Sequence, residues 1–148
     1  MELERYEKWE PVEGITNPVH CARINEGEQG LSITLIFSKT VDGLHAKLRI
    51  NFVGRTPAYT VHEEFVHPWN VAFVEPIPKL EGKWVGWTFP LLIVKHSTWL
   101  KSFSESQIVG YADSIHYRLM TLDKIVDVLY DGVPEASWVQ QANSTAQN

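Results

Sequence analysis

The sequence predicts an α+β fold, in which a curved, mainly antiparallel β-sheet of about six strands packs against one α-helix and can close into a partial barrel. Residues 31–37 and 44–52 alternate apolar and polar side chains, as half-buried strands do. An Asp-Gly pair at 42–43 lies between them and predicts a hairpin turn. In the second strand we expect the even-numbered residues to be buried and the odd-numbered residues to face solvent. A third alternating segment, residues 59–65, completes a three-stranded meander.

One helix is predicted over residues 98–107. Ser97 is a suitable N-cap residue, and three apolar residues follow it at helical spacing: Trp99, Leu100 and Phe103. The short apolar run at 90–96, just before this helix, predicts a central strand.

Residues 115–130 leave two interpretations open. The first half alternates like a strand, whereas the stretch from Leu122 to Leu129 fits either a strand or a helix. We favour a hairpin that turns at residues 122–124, because the run is rich in β-branched residues. In that hairpin Asp127 is expected to face water.

Length and composition predict one domain over residues 1–139 and a disordered polar tail at 140–148. The chain has 148 residues, of which 44% are hydrophobic and 21% charged, so it is long enough to bury a core. Residues 1–18 are expected to form an arm that packs on the body through Trp9 and Ile15. Residues 67–88 are expected to form a long loop that aromatic side chains order in part: Trp69, Phe73, Trp84 and Trp87.

The cysteine content and the hydropathy predict a cytoplasmic protein that does not bind a membrane. Cys21 is the single cysteine, and a lone thiol fits a reducing compartment. The N-terminal residues lack the apolar region of a signal peptide, and the longest apolar run is too short to cross a bilayer.

The charge distribution argues against nucleic-acid binding. Residues 1–30 carry seven acidic and three basic residues, and residues 105–148 carry six and two, whereas residues 31–104 carry eight basic and five acidic residues. Proteins that bind nucleic acids usually present a clustered basic face, which scattered lysines and arginines do not supply. The acidic ends favour a basic protein partner instead.

No catalytic residue, metal or cofactor is predicted. His62 and His67 lie five residues apart, whereas the helix of a zinc protease requires a step of four. The sequence also lacks a nucleophile elbow, a phosphate-binding loop and a dinucleotide motif. A histidine in the middle of a strand, as predicted for His116, could act in acid–base chemistry, because histidine side chains ordinarily titrate near neutral pH. A half-exposed histidine in a sheet is the more ordinary interpretation.

Several segments carry a resemblance: WEPVEGI at 9–15, HSTWL and SFSES at 96–106, and IHYRLMTLDKIVDVL at 115–129, followed by Pro134 and Glu135. In these segments the chain resembles a set of small, uncharacterised bacterial cytoplasmic proteins, some of which resemble immunity proteins of bacterial toxin systems. The resemblance implies a role in binding and carries no catalytic residue with it.

The predicted function is non-catalytic protein binding, with an immunity-like neutralisation of a toxin as its sharper version. A homodimer is kept open. The expected contacts are acidic residues with aromatic anchors beside them: Tyr111, Asp113, Asp123, Asp127, Tyr130, Asp131, Glu135 and Trp138. The alternative is a small-molecule binding protein or enzyme with a pocket in the curved sheet, beneath the loop at 67–88. Its lining would be His62, Glu64, His116 and Tyr117.

Overall fold

A computed structural model describes residues 3–54, 58–63, 77–103 and 113–140. These residues form nine strands and one short helix. The elements are β1 (Arg5–Lys8), β2 (Val19–Gly27), β3 (Gly30–Val41), β4 (Leu44–Val53), β5 (Ala58–Glu63), β6 (Leu91–Lys95), α1 (Thr98–Lys101), β7 (Ile115–Met120), β8 (Lys124–Tyr130) and β9 (Glu135–Trp138). A 3-10 turn occupies Gly82–Trp84.

The strands form two sheets. Sheet A has the order β1-β6-β7-β8-β5, and sheet B has the order β2-β3-β4-β9. Every pair of neighbouring strands is antiparallel. One isolated parallel bridge joins Val19 of sheet B to Thr121, beside the turn between β7 and β8.

The two sheets pack face to face around a single apolar core. Phe52 of sheet B lies 5.9 Å, between ring centroids, from Tyr117 of sheet A. Strands β3 and β4 bury alternate residues over most of their length, because successive side chains of a strand point to opposite faces. The largest fully buried side chains of sheet B are Leu31, Ile33, Leu35, Phe37, Leu48, Ile50 and Phe52. The prediction for β4 is confirmed from Leu48 onwards: Leu48, Ile50 and Phe52 are buried, and the odd-numbered residues of the strand are exposed or half-exposed. At the start of the strand it fails, because Leu44 is exposed and Ala46 is half-buried.

The predicted fold class is wrong. The fold is mostly antiparallel β in two sheets, with almost no helix and without closure into a barrel among the described residues. The predicted meander fails at its third strand, since β5 does not pair with β4. It pairs instead with β8, in the other sheet. A single curved sheet would leave one apolar face to be covered by a helix, whereas here a second sheet covers it.

The predicted helix at 98–107 is also wrong. Helix α1 ends at Lys101, and residues 104–107 lie outside the described residues. The Ser97 side chain does cap the helix, accepting a hydrogen bond from the Leu100 amide at 3.0 Å. A cap and a few apolar residues at helical spacing thus produce one turn here, because isolated short helices gain little stability of their own.

Other local predictions are confirmed. The segment at 115–130 is a hairpin, with β7 and β8 on either side of a turn at residues 121–123. The apolar run at 90–96 contains strand β6. Ile15 is buried in the core and Trp9 packs against it. Strands β1, β2 and β9 were not predicted. Predictions on Glu64, Trp69, Phe73, Tyr111 and residues 141–148 lie outside the described residues.

Candidate functional site

A chain of four buried polar side chains crosses the face of sheet A that points away from sheet B. We call it the buried polar chain: Ser97, His116, Arg118 and Asp127. Ser97 lies between β6 and α1, His116 and Arg118 lie on β7, and Asp127 lies on β8. Each is between 2% and 5% exposed. Strand register explains their meeting, because Arg118 pairs directly with Asp127, and His116 is two residues from Arg118 on the same face.

Short hydrogen bonds connect the four side chains. Asp127 Oδ1 lies 2.6 Å from His116 Nε2 and accepts a hydrogen bond from Arg118 Nε at 2.8 Å. Ser97 Oγ lies 2.7 Å from His116 Nδ1. Because a carboxylate can only accept, the proton of a neutral His116 ring lies on Nε2, so the Ser97 hydroxyl donates to Nδ1. The Trp99 ring lies edge-on to His116, at 5.3 Å between centroids.

The serine, histidine and aspartate stand in the order of a catalytic triad, but their surroundings favour a structural role. A triad needs backbone donors free to stabilise an oxyanion next to the nucleophile. The first amide after Ser97 belongs to Thr98, and it donates to the Glu4 carboxylate at 2.7 Å. Asp127 also shares its Oδ1 atom between His116 and Arg118. The buried polar chain therefore serves to fasten the turn before α1 to sheet A.

Tyr6 extends this network towards the N-terminal strand. Its ring lies 5.4 Å from the Arg118 guanidinium carbon, a cation–π contact. Its hydroxyl donates to Glu4 Oε1 at 2.9 Å, and Glu4 Oε2 is the oxygen that accepts from Thr98. Burial raises the pKa of Tyr6 from 10.0 to about 12, against the opposing charge of Arg118. The neutral phenol is therefore part of the folded network.

The raised pKa of Tyr6 predicts a loss of stability in strong base. Between pH 10 and about 12 the unfolded chain loses the phenol proton while the folded chain keeps it. Stability must then fall as the pH rises through this window. Urea unfolding of the wild type and Tyr6→Phe at several pH values from 9 to 12 measures the effect. Burial also raises the pKa of Tyr117, which is present in both proteins. The effect of Tyr6 is therefore the difference between the two free energies of unfolding at each pH. The prediction would be contradicted if the free energies of unfolding of the two proteins changed with pH in parallel.

A second feature lies at the surface, on the segment between residues 77 and 90. We call it the aromatic corner: Trp84, Val85 and Trp87. The two indole rings stand at 88° to each other, with centroids 5.5 Å apart. Trp87 is 48% exposed and Val85 is 73% exposed. Apolar side chains that are exposed next to one another can form a contact site for a partner.

Backbone hydrogen bonds and two core residues anchor the aromatic corner. Leu80 donates its amide to the Trp87 carbonyl at 2.7 Å, and Phe89 donates to the Pro78 carbonyl at 2.9 Å. Leu80 and Phe89 are both buried in the core and so anchor the two sides of the segment. Gly86 precedes Trp87 with a φ of 93°, a left-handed conformation that disfavours any side chain. The rings are thus displayed in a preformed arrangement.

The predicted acidic contacts do not form one surface. Asp113 and Asp131 are exposed at one end of the β7–β8 hairpin. Asp123 is exposed in the turn at the other end, about 25 Å from Asp131 at the usual rise per strand residue. Glu135 begins β9, in the other sheet. Asp127 is buried, so the expectation that it faces water is wrong.

The two predicted anchors within the described residues are used inside the fold. Trp138 packs its ring on Phe37, at 5.2 Å between centroids, and donates Nε1 to the Glu13 carbonyl. Tyr130 donates its hydroxyl to the Val53 carbonyl at 2.7 Å, and its ring packs edge-on against a core phenylalanine. Both side chains therefore stabilise the contact between distant segments of the chain.

The alternative pocket is not assembled by the described residues. His116 and Tyr117 are neighbours on β7 and therefore point to opposite faces of sheet A. His62, on β5, lies on the same face as His116 but two strands away and four residues along, about 16 Å in sheet geometry. Its Nε2 atom lies 2.8 Å from the hydroxyl of Thr60. His116 is buried, so the interpretation of a half-exposed histidine is wrong.

Sequence reasoning missed the partners in the buried polar chain and the exposure of Trp87. A signal for Arg118 and Asp127 existed, because a hairpin turning near residue 122 brings opposite charges at these positions into register. The Ser97 contact had no such signal, since it joins segments through tertiary packing.

Among the described residues, acidic, histidine and cysteine side chains do not gather in a group of three that could hold a metal.

Comparison of the chain with protein-family models, with curated proteins and with solved structures found no match. The resemblance to small bacterial proteins therefore stays a prediction. Within the described part of the chain, none of the helices has the length and apolar character needed to span a membrane.

Proposed function

We propose that the chain is a non-catalytic protein-binding domain that contacts its partner through the aromatic corner. The observation that carries the proposal is the exposure of Trp87 and Val85 on a hydrogen-bonded segment anchored in the core. Tryptophan is enriched among the residues that dominate binding energy in protein interfaces. A preformed segment also loses little conformational entropy when it binds.

The buried polar chain supports a binding role over catalysis. Its four side chains are almost completely removed from solvent and bond to one another, so a substrate would have to displace internal contacts. An immunity-like, toxin-neutralising role, expected from the resemblance, remains a narrower form of the proposal. Its test is the genomic neighbour: a toxin encoded next to this chain should form a complex with it.

Localisation and oligomeric state complete the proposal. We place the protein in the cytoplasm, because its single cysteine, Cys21, is free and fits a reducing compartment. A homodimer stays a prediction, which light scattering after size-exclusion chromatography would check by giving twice the mass of one chain.

Replacing Trp87 with alanine should weaken binding of the native partner by about 2 kcal/mol or more, roughly thirtyfold. The fold should be nearly unaffected, because half of the side chain already faces solvent. Proteins retained from host extract by the wild type are compared with those retained by the variant. For each protein that the wild type retains and the variant does not, the affinity for both is measured by calorimetry.

Leu44→Ala provides a matched control, since Leu44 is an equally exposed apolar residue on the tip of another hairpin. The control should bind like the wild type. A partner that binds the Trp87 variant as tightly as the wild type would overturn the assignment of this surface.

A further inference from the structure

We infer that the partner at the aromatic corner is an acidic protein segment, in which carboxylates flank an apolar residue. The inference rests on the proposed function and adds the chemistry of the partner. It differs from the expectation of a basic partner bound by the acidic residues, because those residues are spread over distant parts of the molecule.

The charges around the aromatic corner point to carboxylates. Lys79 and Lys83 are both exposed on the same segment as Trp87. Its acidic residue, Glu81, lies 3.5 Å from the Lys8 ammonium, so its charge is offset locally. The segment is therefore positive, whereas the chain as a whole carries a net charge of −5. Two exposed lysines against one paired glutamate favour the approach of an acidic partner to this segment over that of a basic one.

The position of one lysine links the charge to the apolar surface. Lys83 Nζ lies 5.8 Å from the centroid of the Trp84 ring. The ammonium group is thus held beside the rings, where an apolar side chain of the partner would pack. A carboxylate next to that side chain would reach the ammonium group without displacing the ring contact. A basic segment would instead bring like charges together, which opposes binding.

Nucleic acid is the less favoured polyanion. Two lysines supply few phosphate contacts, and binding of nucleic acids usually uses an extended basic face. The rings stand perpendicular to each other, so they do not offer a continuous platform on which successive bases could stack. Binding of an oligonucleotide is therefore an outcome that the experiment must include.

The test is a selection of peptides that bind the full chain from a phage-displayed library of random dodecapeptides. Phage that bind the Trp87→Ala variant are removed first. Enriched peptides should carry aspartate or glutamate next to an aromatic or aliphatic residue. Synthetic copies should bind about tenfold more weakly to Lys79→Glu/Lys83→Glu, and more weakly at higher salt. The control Lys39→Glu/Lys47→Glu changes the net charge equally on another part of the protein and should bind like the wild type.

The outcomes separate the inference from the proposed function. Peptides that require Trp87 but are basic or neutral, or that bind both double variants equally, would overturn the acidic partner and leave the binding surface standing. A library that yields no peptide requiring Trp87 would count against the surface and the inference together. Tight binding of a single-stranded oligonucleotide of about twenty nucleotides, lost in Lys79→Glu/Lys83→Glu, would replace the acidic segment with nucleic acid.

Discussion

Replacing Asp127 with alanine is expected to lower the free energy of unfolding by about 3–5 kcal/mol. The change removes the carboxylate that His116 and Arg118 share, and Arg118 is only 3% exposed in the wild type. A buried charge that loses one partner of an ion pair loses part of what offsets the cost of its desolvation. Such a loss is a large part of the total stability of an ordinary domain, so unfolding in urea would begin at much lower concentrations.

Asp131→Ala is the matched control, because Asp131 is an exposed aspartate at the end of the same strand. Its effect should stay within about 0.5 kcal/mol. A double variant, Arg118→Met/Asp127→Leu, removes both charges and should recover much of the stability lost in Asp127→Ala. Equal stability of Asp127→Ala and Asp131→Ala would show that the buried polar chain does not stabilise the fold.

Replacing Phe52 with alanine is expected to cost about 3–5 kcal/mol as well, for a different reason. Phe52 is fully buried between the sheets, with ring contacts to Tyr117 and Tyr130. Truncation leaves a cavity at the point where sheet B touches the central hairpin of sheet A. Thermal and denaturant unfolding monitored by tryptophan fluorescence would measure the loss.

Val53→Ala is the control on the next residue of the same strand, where the side chain is exposed. It should cost less than about 1 kcal/mol, since it changes strand preference and leaves the core intact. A loss below 1 kcal/mol for Phe52→Ala would mean that the two sheets do not depend on this contact.

The strands with clean alternation could be predicted from sequence, and those without it could not. Residues 44–52 alternate because one face of β4 packs in the core and the other faces water. Strand β2 is an edge strand, and its half-buried and exposed residues follow one another without regular alternation. An edge strand with partial burial on both faces has no period for the sequence to reveal.

The pairing of strands was harder to predict than their positions. Consecutive strands joined by short turns usually pair, so β5 was expected beside β4. Whether the chain continues one sheet or crosses to the other depends on which sheet leaves an apolar face uncovered. The strand that pairs with β5 is β8, which comes much later in the sequence. The residues near β5 therefore contain no local pattern that predicts the pairing.

Burial of Asp127 illustrates the same limit at the candidate site. In an isolated hairpin, alternation places Asp127 on the wet face, as predicted. In the folded chain that face of sheet A is covered near α1, where Ser97 and Trp99 contact His116. A charged residue on the face of a sheet that is predicted to meet solvent can thus be buried once other parts of the chain cover that face. The signal for this burial in the sequence is the opposite charge of Arg118, which pairs with Asp127 on the neighbouring strand.

The distant pairing of β5 with β8 also sets the order of events on the ribosome. Strands β2, β3 and β4 pair in sequence and can form a meander as soon as they emerge. The hairpin of β7 and β8, which supplies the central part of the covering sheet, begins roughly 60 residues after β4, a delay of about 3–12 s at 5–20 residues per second. During that interval the nascent chain exposes the apolar face of sheet B and the unpaired edge of β5. Expression is therefore expected to depend on chaperones that bind apolar nascent segments, and faster translation should shorten the interval.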